Sequence, residues 1–478
     1  MSKIFRFPVS LWHRWPFAGV WKIGEVGQWT GRSGFDGLTT GATVASGMNT
    51  LCVSGGTVLG PDHEVEPADV LIDREEGTIL EVGEGLAADA TETLEASGCV
   101  VMPGLVNAHT HVAMTLLRGY ADDKPLDAWL REDVWPIEGA FEPADVEAGA
   151  ELGALEMIKS GTTTFADMYF HVDRIADVVE HAGLRARLGH GIVTVGKGEA
   201  DARADLEESV DVAREIDGAA DGRIRSMVAP HSLTTVGEEY LREAFSAARE
   251  LDVPVHLHAN ETTDEVDPIV ENRGVRPLEY AGELGLAAED FLAHGVHVDD
   301  REIELLAESG TAVIHCPASN MKLASGMAPV EKLLEAEVTV GLGTDGAASN
   351  NDLDMFGEIR DAAMIGKLAA DDASAVSAGS AIHMATAGGA DAVGLPGGRI
   401  GPGAAADLAV VDFDAPHLTP RHDVVSHLAY AARGSDVRHT VCDGQVLMRD
   451  RDVLVLDEET VRERASRRAE AAIDRAHE

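Results

Sequence analysis

The stretch VMPGLVNAHTH, residues 101–111, decides the fold, because in it an apolar run ends in two histidines one residue apart. Side chains two positions apart in a strand point to the same face, so His109 and His111 should project together from the end of a buried strand. Two neighbouring imidazoles need a shared partner, and a metal ion is the usual one. The alternative is two unrelated surface histidines near a turn, and the remaining sequence decides between the two.

Strand-like and helical segments alternate on the C-terminal side of this stretch. One helical segment has Pro143 near its start and Gly161 just past its end, and these residue types favour helix initiation and termination. Eight strand–helix units over about 250 residues predict an α/β fold with a (β/α)8 TIM-like barrel. The predicted barrel strands lie in the segments CVVMPGLVNAH, TTTFADM, LRARLGHGIV, RIRSMVAPH, VPVHLHA, FLAHGVH, TAVIHC and VTVGLGTD.

Short alternating runs with glycine and aspartate turns flank the barrel on both sides. They predict antiparallel strands, which should pair into one small β-sandwich domain formed from both chain ends. The C-terminal tail has the pattern of a solvated amphipathic helix. The predicted domains are the first part of the sandwich at 48–102, the metal-dependent barrel at 103–396, the second part of the sandwich at 397–457 and the helix at 458–478.

The N-terminal segment 1–47 differs from the rest of the chain. It holds four of the six tryptophans and only two acidic residues. We interpret this atypical segment either as an addition to the domain or, preferably, as the product of a mis-assigned start codon, with Met48 as the true start.

The chain carries 83 acidic and 38 basic residues, for a formal net charge of −45. Such a surface repels nucleic acid and anionic membranes, so neither is an expected partner. It also repels itself unless salt screens the charges, and the Debye length falls to about 3 Å at 1 M salt. The composition therefore favours a halophilic microbe with a salt-rich cytoplasm over an ordinary acidic enzyme.

The location predicted from the sequence is the cytoplasm. No apolar run approaches the roughly 18 residues of a membrane span, and Arg14 and two prolines interrupt the N-terminal apolar stretch, which makes it a poor secretory signal. Scattered cysteines without CxxC spacing indicate a reducing compartment, and we expect a homo-oligomer there. The cysteines are Cys52, Cys99, Cys316 and Cys442.

Polar side chains recur at the C-terminal ends of the predicted strands, where barrel enzymes carry their catalytic residues. A single strand-end histidine is usually a satisfied core residue, but independent repetition at the same end of several strands is improbable. Three imidazoles and one carboxylate suit zinc or a similar divalent ion. Strand geometry alone cannot choose between the two histidines of the fifth strand, because both face the same way. The set comprises His109 and His111 on the first strand, His231 on the fourth, His256 and His258 on the fifth, His294 on the sixth and Asp345 on the eighth.

The sequence predicts one metal ion, because no lysine ends a predicted strand and a carbamate bridge between two metals is therefore not expected. A zinc ion with an open coordination position lowers the pKa of a bound water to about 7. A carboxylate beside the substrate must then transfer protons, and Glu261, three residues after His258, is placed for that role. The alternative for Glu261 is a surface glutamate that opens a helix. His294 is a candidate to orient the attacking water or to stabilise developing charge.

Five motifs, in order and at barrel spacing, make the chain similar to the amidohydrolase superfamily. More narrowly, it resembles the 5'-methylthioadenosine/S-adenosylhomocysteine deaminases over roughly residues 50–455. The histidine pair alone is weak support, whereas five ordered motifs are strong. The motifs are MPGLVNAHTH, MTLLRGYADDKPLDAW, HLHANET, PASNMKLASGMAPV and GTDGAASNNDLDMF.

The resemblance implies roles for individual residues. Glu261 would carry a proton to the purine N1, while Asp345 and His294 handle the attacking water. Glu138 would bind the ribose hydroxyls and His231 would touch the purine, although by sequence alone Glu138 is an ordinary acidic residue at a helix start. The implied cofactor is one divalent ion, Zn2+ with Fe2+ as the alternative, held by His109, His111, His258 and Asp345.

The chain departs from the family pattern at the end of the third strand. Relatives that accept S-adenosylhomocysteine often carry an arginine there, suited to the amino-acid carboxylate, whereas this chain has His190. Arg203 follows in a loop and is the first candidate for a replacement cation. Cys316 stands where relatives often have asparagine, and we interpret it as a packing residue.

The predicted function is hydrolytic deamination of an adenosine derivative to the inosine analogue, with release of ammonia. The candidate substrates are 5'-methylthioadenosine, S-adenosylhomocysteine, 5'-deoxyadenosine and adenosine. One alternative keeps the fold and the metal but acts on guanine, cytosine or a triazine. The other is a non-catalytic relative that uses the barrel as an assembly module, and a full ligand set with Glu261 argues against it.

Overall fold

The structure, a computed structural model, describes residues 48–478. The prediction for segment 1–47 and for the start at Met48 therefore lies outside the described residues. Among the described residues, strands contributed by both ends of the chain share one nine-stranded sheet. Its strands are β1 (Thr50–Leu59), β2 (Val65–Asp73), β3 (Thr78–Gly83), β4 (Glu92–Glu95), β5 (Cys99–Pro103), β16 (Leu408–Asp412), β17 (Val437–Cys442), β18 (Gln445–Arg449) and β19 (Asp452–Val453).

The remaining ten strands form a parallel ring of TIM-barrel type. They are β6 (Leu105–His111), β7 (Thr162–Tyr169), β8 (Arg185–Ile192), β9 (Ile224–Ser226), β10 (Ala229–Pro230), β11 (His256–Ala259), β12 (Phe291–His294), β13 (Ala312–His315), β14 (Val340–Leu342) and β15 (Asp345–Gly346).

Strand pairing closes this ring. β6, β7 and β8 pair in that order, and β8 also pairs with β9 and β10. β11 to β14 pair successively, and parallel bridges from Val228 to Val255 and from Ser232 to His258 join the two runs. β15 follows β14 along the chain and pairs with β6. The short pieces β9 and β10 make up the fourth barrel position, and β14 with β15 makes up the eighth.

Helices separate the barrel strands, as the alternating pattern predicts. Helix α3 begins at Pro143 and is followed by Gly161, whose φ of 85° is the left-handed conformation that ends many helices. The helices are α1 (Leu126–Trp129), α2 (Trp135–Glu138), α3 (Pro143–Ser160), α4 (Val172–Ala182), α5 (Glu199–Ile216), α6 (Glu238–Leu251), α7 (Thr263–Arg273), α8 (Pro277–Leu284), α9 (Asp300–Ser309), α10 (Pro317–Lys322), α11 (Val330–Glu335), α12 (Met355–Ala370), α13 (Ala378–Met384), α14 (Ala387–Val393), α15 (Val424–Tyr430) and α16 (Glu458–His477).

The predicted first barrel strand is wrong in one respect, because CVVMPGLVNAH is two strands that belong to different sheets. The chain leaves β5 and enters β6 at Gly104. The Gly104 N–H donates to the carbonyl of Asp407 at 2.9 Å, and a Cβ at this position would lie 2.3 Å from the Thr163 hydroxyl oxygen. Glycine is therefore required where the backbone passes from one sheet to the other.

Ion pairs attach the outer elements to the barrel. Arg185 of β8 is buried and donates to Asp407 at 2.8 Å, which connects the barrel to the nine-stranded sheet. The C-terminal helix α16 contacts α3 through Arg464, which pairs with Glu151 at 2.9 Å. Arg185 is the first residue of β8, so its contact lies at the N-terminal end of that strand, away from the C-terminal mouth of the barrel.

None of the helices between residues 48 and 478 has the length and apolar character needed to cross a membrane.

Candidate active site

The strand-end residues predicted from the sequence converge at the C-terminal mouth of the barrel. The Nε2 atoms of His109 and His111 lie 3.5 and 3.3 Å from Asp345 Oδ1. The Nε2 of His258 lies 3.3 Å from that of His111. Three imidazoles and one carboxylate from the first, fifth and eighth barrel positions thus face a common point.

Unusual backbone conformations set the direction of the side chains of two site residues. Asp345 has a φ of 60° and His294 a φ of 75°. Non-glycine residues rarely adopt positive φ, and such strain concentrates at functional sites.

Gly343 has a different role, because a Cβ there would lie 2.7 Å from the His109 carbonyl oxygen. Because Gly343 has no side chain, the segment after β14 can approach β6 closely enough for Asp345 to reach His109.

Backbone carbonyls hold two of the histidines in one tautomer. The Nδ1 of His111 donates to the carbonyl of Met168 at 2.7 Å, and the Nδ1 of His258 donates to the carbonyl of His231 at 2.7 Å. In a neutral ring the other nitrogen then keeps a lone pair. Both Nε2 atoms are therefore ready to act as metal ligands.

Three hydroxyl and amide groups fix the Asp345 carboxylate. Ser319 and Ser349 donate to Oδ2 at 2.6 and 2.9 Å, and the Gly346 N–H donates to Oδ1 at 2.8 Å. These hydrogen bonds leave Oδ1 directed at the histidines. The sequence analysis did not single out the two serines, although they lie inside the quoted motifs PASNMKLASG and GTDGAASNND.

The chemistry of this donor set fits a metal ion. The Nε2 of His109 is buried and has no hydrogen-bond partner among the described residues, a costly state for an imidazole unless another partner binds it. Ligand atoms lie within 4.8 Å of one another in two groups that share His109. Nitrogen and carboxylate ligands in this number are the ones that zinc uses. The two groups are His109, His111 and Asp345, and His109, His258 and His294.

Glu261 and His294 lie side by side next to the histidine cluster. The two side chains approach to 3.7 Å between Oε2 and Nε2, and Asn320 lies 3.0 Å from the Nδ1 of His294. Burial raises the pKa of Glu261, and the charge of Asp345 adds to this effect while His294 opposes it. A buried carboxyl group with a raised pKa beside a candidate metal centre has the properties of a proton carrier.

Glu138 and His231 lie in the same cleft as the cluster. The hydroxyl of Tyr169 donates to Glu138 Oε1 at 2.6 Å. Burial raises the pKa of Glu138 to about 7, although the Tyr169 hydrogen bond lowers it. His231 has its Nδ1 2.9 Å from the Thr235 hydroxyl, and its ring lies 4.6 Å from the ring of His258. Tyr169, which ends the second barrel strand, is a further site residue that the sequence analysis missed.

His190 does not join the histidine cluster. It lies in an adjoining cavity that shares Glu138 and Tyr169 with the cleft. Its Nδ1 is 3.5 Å from Glu208. Arg203 lines neither of these two cavities, because it pairs with Glu243 and packs over Tyr240 at 5.0 Å.

Cys316, predicted to be a packing residue, is fully buried in an apolar cluster. Its Sγ lies 3.8 Å from the carbonyl oxygen of Ile314.

Comparison with known proteins defines the class of this protein. The sequence profile of the amidohydrolase family matches residues 100–447. The chain belongs to the amidohydrolase family, and the resemblance inferred from the five motifs is confirmed.

Two relatives and one solved structure that resemble this chain over most of its length are named as deaminases. A 5-methylthioadenosine/S-adenosylhomocysteine deaminase of Halobacterium salinarum is 67% identical over 431 residues, which cover 90% of this chain and 100% of the relative. A 5'-deoxyadenosine deaminase of Methanosarcina acetivorans is 47% identical over 404 residues, 84% of this chain and 93% of the relative. The crystal structure of a Xanthomonas campestris adenosine deaminase with bound zinc superposes with a TM-score of 0.83 at 37% identity, covering 89% of this chain and 98% of that one.

Proposed function

We propose that this protein deaminates 5'-modified adenosines hydrolytically to the inosine analogues. The observation that carries the proposal is the convergence of His109, His111, His258 and Asp345 on one point, beside a cleft that Glu261 also lines. The Halobacterium relative, at 67% identity, supports the substrate class. Its source supports the halophilic origin inferred from the net charge of −45.

The four converging residues would hold one divalent ion, for which we propose zinc. A bound zinc ion supplies a water molecule that is activated for attack near neutral pH. Glu261, whose pKa is raised by burial, would move the proton to the purine N1. His294, 3.7 Å from Glu261, would orient the attacking water and stabilise the charge that develops as this water adds to C6.

Glu138 would accept hydrogen bonds from the ribose hydroxyls. Its Oε1 already accepts from Tyr169 at 2.6 Å, which holds the side chain in the cleft and leaves Oε2 for substrate. His231, next to His258, would contact the purine ring.

The adjoining cavity would receive the 5'-substituent, because it opens from the cleft beside Glu138. Its lining includes the acidic side chains of Asp205 and Glu208. Lys197, the lysine of that lining, is paired with Asp205 at 2.5 Å. This balance of charge favours small or apolar 5'-groups over a tail that carries a free carboxylate.

A substrate panel in multimolar KCl tests the proposal. Ammonia release would be measured with 5'-methylthioadenosine, 5'-deoxyadenosine, adenosine, guanine and cytosine, and chloride release with a chlorotriazine. Turnover of the adenosine derivatives, with little or none of the other three, is the expected result. Preferred turnover of guanine, cytosine or the triazine would contradict the substrate class, and a metal-loaded protein inactive on all six would contradict the enzyme.

Three further proposals concern the whole molecule. Buried apolar residues from both chain ends, such as Val53, Ile72, Val101 and Val410, form one cluster, which supports the predicted β-sandwich. All four cysteines are unpaired and buried, which supports a reducing cytoplasm. We also propose a homo-oligomer, and light scattering in high salt would measure its size.

A further inference from the structure

A series of hydrogen bonds runs from the backbone of β12 through His256 to His109. The Nδ1 of His256 lies 2.9 Å from the carbonyl oxygen of Phe291. The Nε2 of His256 lies 2.8 Å from the Nδ1 of His109. Both histidines are fully buried, and the ring of His256 stacks on that of Phe291 with 4.2 Å between centroids.

The Phe291 carbonyl sets the direction of every hydrogen bond in this series, because a carbonyl can only accept. The Nδ1 of His256 must therefore carry a proton, and the Nε2 of a neutral ring is then an acceptor. Burial without a paired charge favours the neutral ring. His109 must donate from its Nδ1, so its own Nε2 is left with a lone pair.

The atom that carries this lone pair, His109 Nε2, lies 3.5 Å from Asp345 Oδ1. It has no hydrogen-bond partner among the described residues. His111 and His258 reach backbone carbonyls directly with their Nδ1 atoms. His109 stands two residues earlier on β6, deeper in the barrel, and reaches a carbonyl only through the interposed imidazole of His256.

We propose that His256 is a positioning residue of the metal centre, which selects the His109 tautomer and holds its ring so that the Nε2 lone pair points at Asp345. His256 is therefore the orienting partner of a ligand, and His258 is the ligand from the same strand. The inference rests on the metal centre of the proposed function but not on its substrate.

Three substitutions separate the two hydrogen bonds of His256. In His256→Gln the amide oxygen reaches the position of Nε2 and accepts from His109. In His256→Asn the shorter amide reaches the Phe291 carbonyl but not His109, and His256→Phe keeps a ring of similar shape without polar atoms. The metal-depleted full-length chain in high salt would be titrated with Zn2+ and Co2+ against a chromophoric chelator.

Loss of the orienting partner of a metal-binding histidine typically costs about 10- to 100-fold in metal affinity. We expect that loss, with a changed Co2+ absorption spectrum, for the Asn and Phe variants, and an affinity within a few-fold of native for the Gln variant. Native affinity and spectrum in the Asn or Phe variant would overturn the proposal. An equal loss in all three folded variants would also overturn it, because the Gln variant keeps the acceptor for His109 and should therefore keep its affinity.

Nitrogen-15 NMR tests the proposal without a variant, and ammonia release separates it from the proposed function. If a variant fails to fold, as judged by circular dichroism, nitrogen-15 NMR of the histidines in the metal-depleted native protein replaces it. The His109 ring should be protonated at Nδ1, and protonation at Nε2 would overturn the proposal. Metal affinity is measured without substrate, so an intact pattern of affinities in a protein that releases no ammonia would contradict the proposed function alone.

Discussion

Replacement of Glu138 by glutamine tests the contact that would give this site its nucleoside specificity. Glutamine keeps the oxygen that accepts from the Tyr169 hydroxyl at 2.6 Å, so the local structure should be retained. What is lost is the negative charge on the second carboxylate oxygen. Because Glu138 is not one of the four proposed metal ligands, metal content should not change.

The size of the effect follows from the hydrogen bonds that a charged acceptor makes. A hydrogen bond to a charged group contributes about 1.5–3 kcal/mol. At about 1.4 kcal/mol for each factor of ten, Glu138→Gln should lower kcat/KM for adenosine about 10- to 150-fold.

A double-mutant cycle between enzyme and substrate isolates this contact. Native and Glu138→Gln enzymes would be assayed with adenosine and with 2',3'-dideoxyadenosine, which lacks both hydroxyls. The dideoxy compound should be poor for the native enzyme, and the substitution should then cost it little more. An equal loss of kcat/KM on both compounds would refute a ribose contact for Glu138.

The pH dependence of kcat/KM for the native and Glu138→Gln enzymes tests the charge state of Glu138. Burial raises the pKa of Glu138 to about 7, so the carboxylate that accepts from ribose is ionised above pH 7 and lost below it. The native kcat/KM for adenosine should therefore fall as pH drops through 7, towards the value of Glu138→Gln. The variant should lack this inflection, and an unchanged inflection would assign it to another group.

Three other results are expected. Glu261→Gln should keep its metal and lose a factor of about 10² to 10⁴ in turnover, and near-native turnover would remove Glu261 from the mechanism. The melting temperature should rise steadily from 0.1 M to multimolar KCl, because salt screens the charge of −45, and a flat response would contradict the halophilic interpretation. Methylthioadenosine, 5'-deoxyadenosine and adenosine should exceed S-adenosylhomocysteine in kcat/KM, and a tenfold preference for S-adenosylhomocysteine would mean that a cation such as Lys197 or Arg203 reaches the tail.

The sequence was sufficient to predict the candidate ligands, because barrel topology sends strand ends to one mouth whatever the loops do. It could not choose between His256 and His258, since residues two apart share a face. Their separation along the strand, about 6.6 Å, puts them at different depths. The structure brings His258 to within 3.3 Å of His111 and His256 to within 2.8 Å of His109.

Features that depend on the meeting of distant segments were not predictable. Ser319 reaches Asp345 from helix α10 after the seventh barrel position, and Ser349 from the loop after the eighth, and no periodic pattern encodes such a contact. The change of sheet at Gly104 falls inside the predicted strand CVVMPGLVNAH, because the Pro103–Gly104 pair, a turn signal, was treated as part of one apolar run.

One metal ion held by His109, His111, His258 and Asp345 would support deamination. The most direct measurement is a titration of the metal-depleted protein with Zn2+ in high salt, with ammonia release from 5'-deoxyadenosine as the readout. Activity should rise linearly and level at about one equivalent, and His258→Ala should show no rise over the same range. Full activity without metal, or a linear rise that continues to two equivalents, would contradict the account.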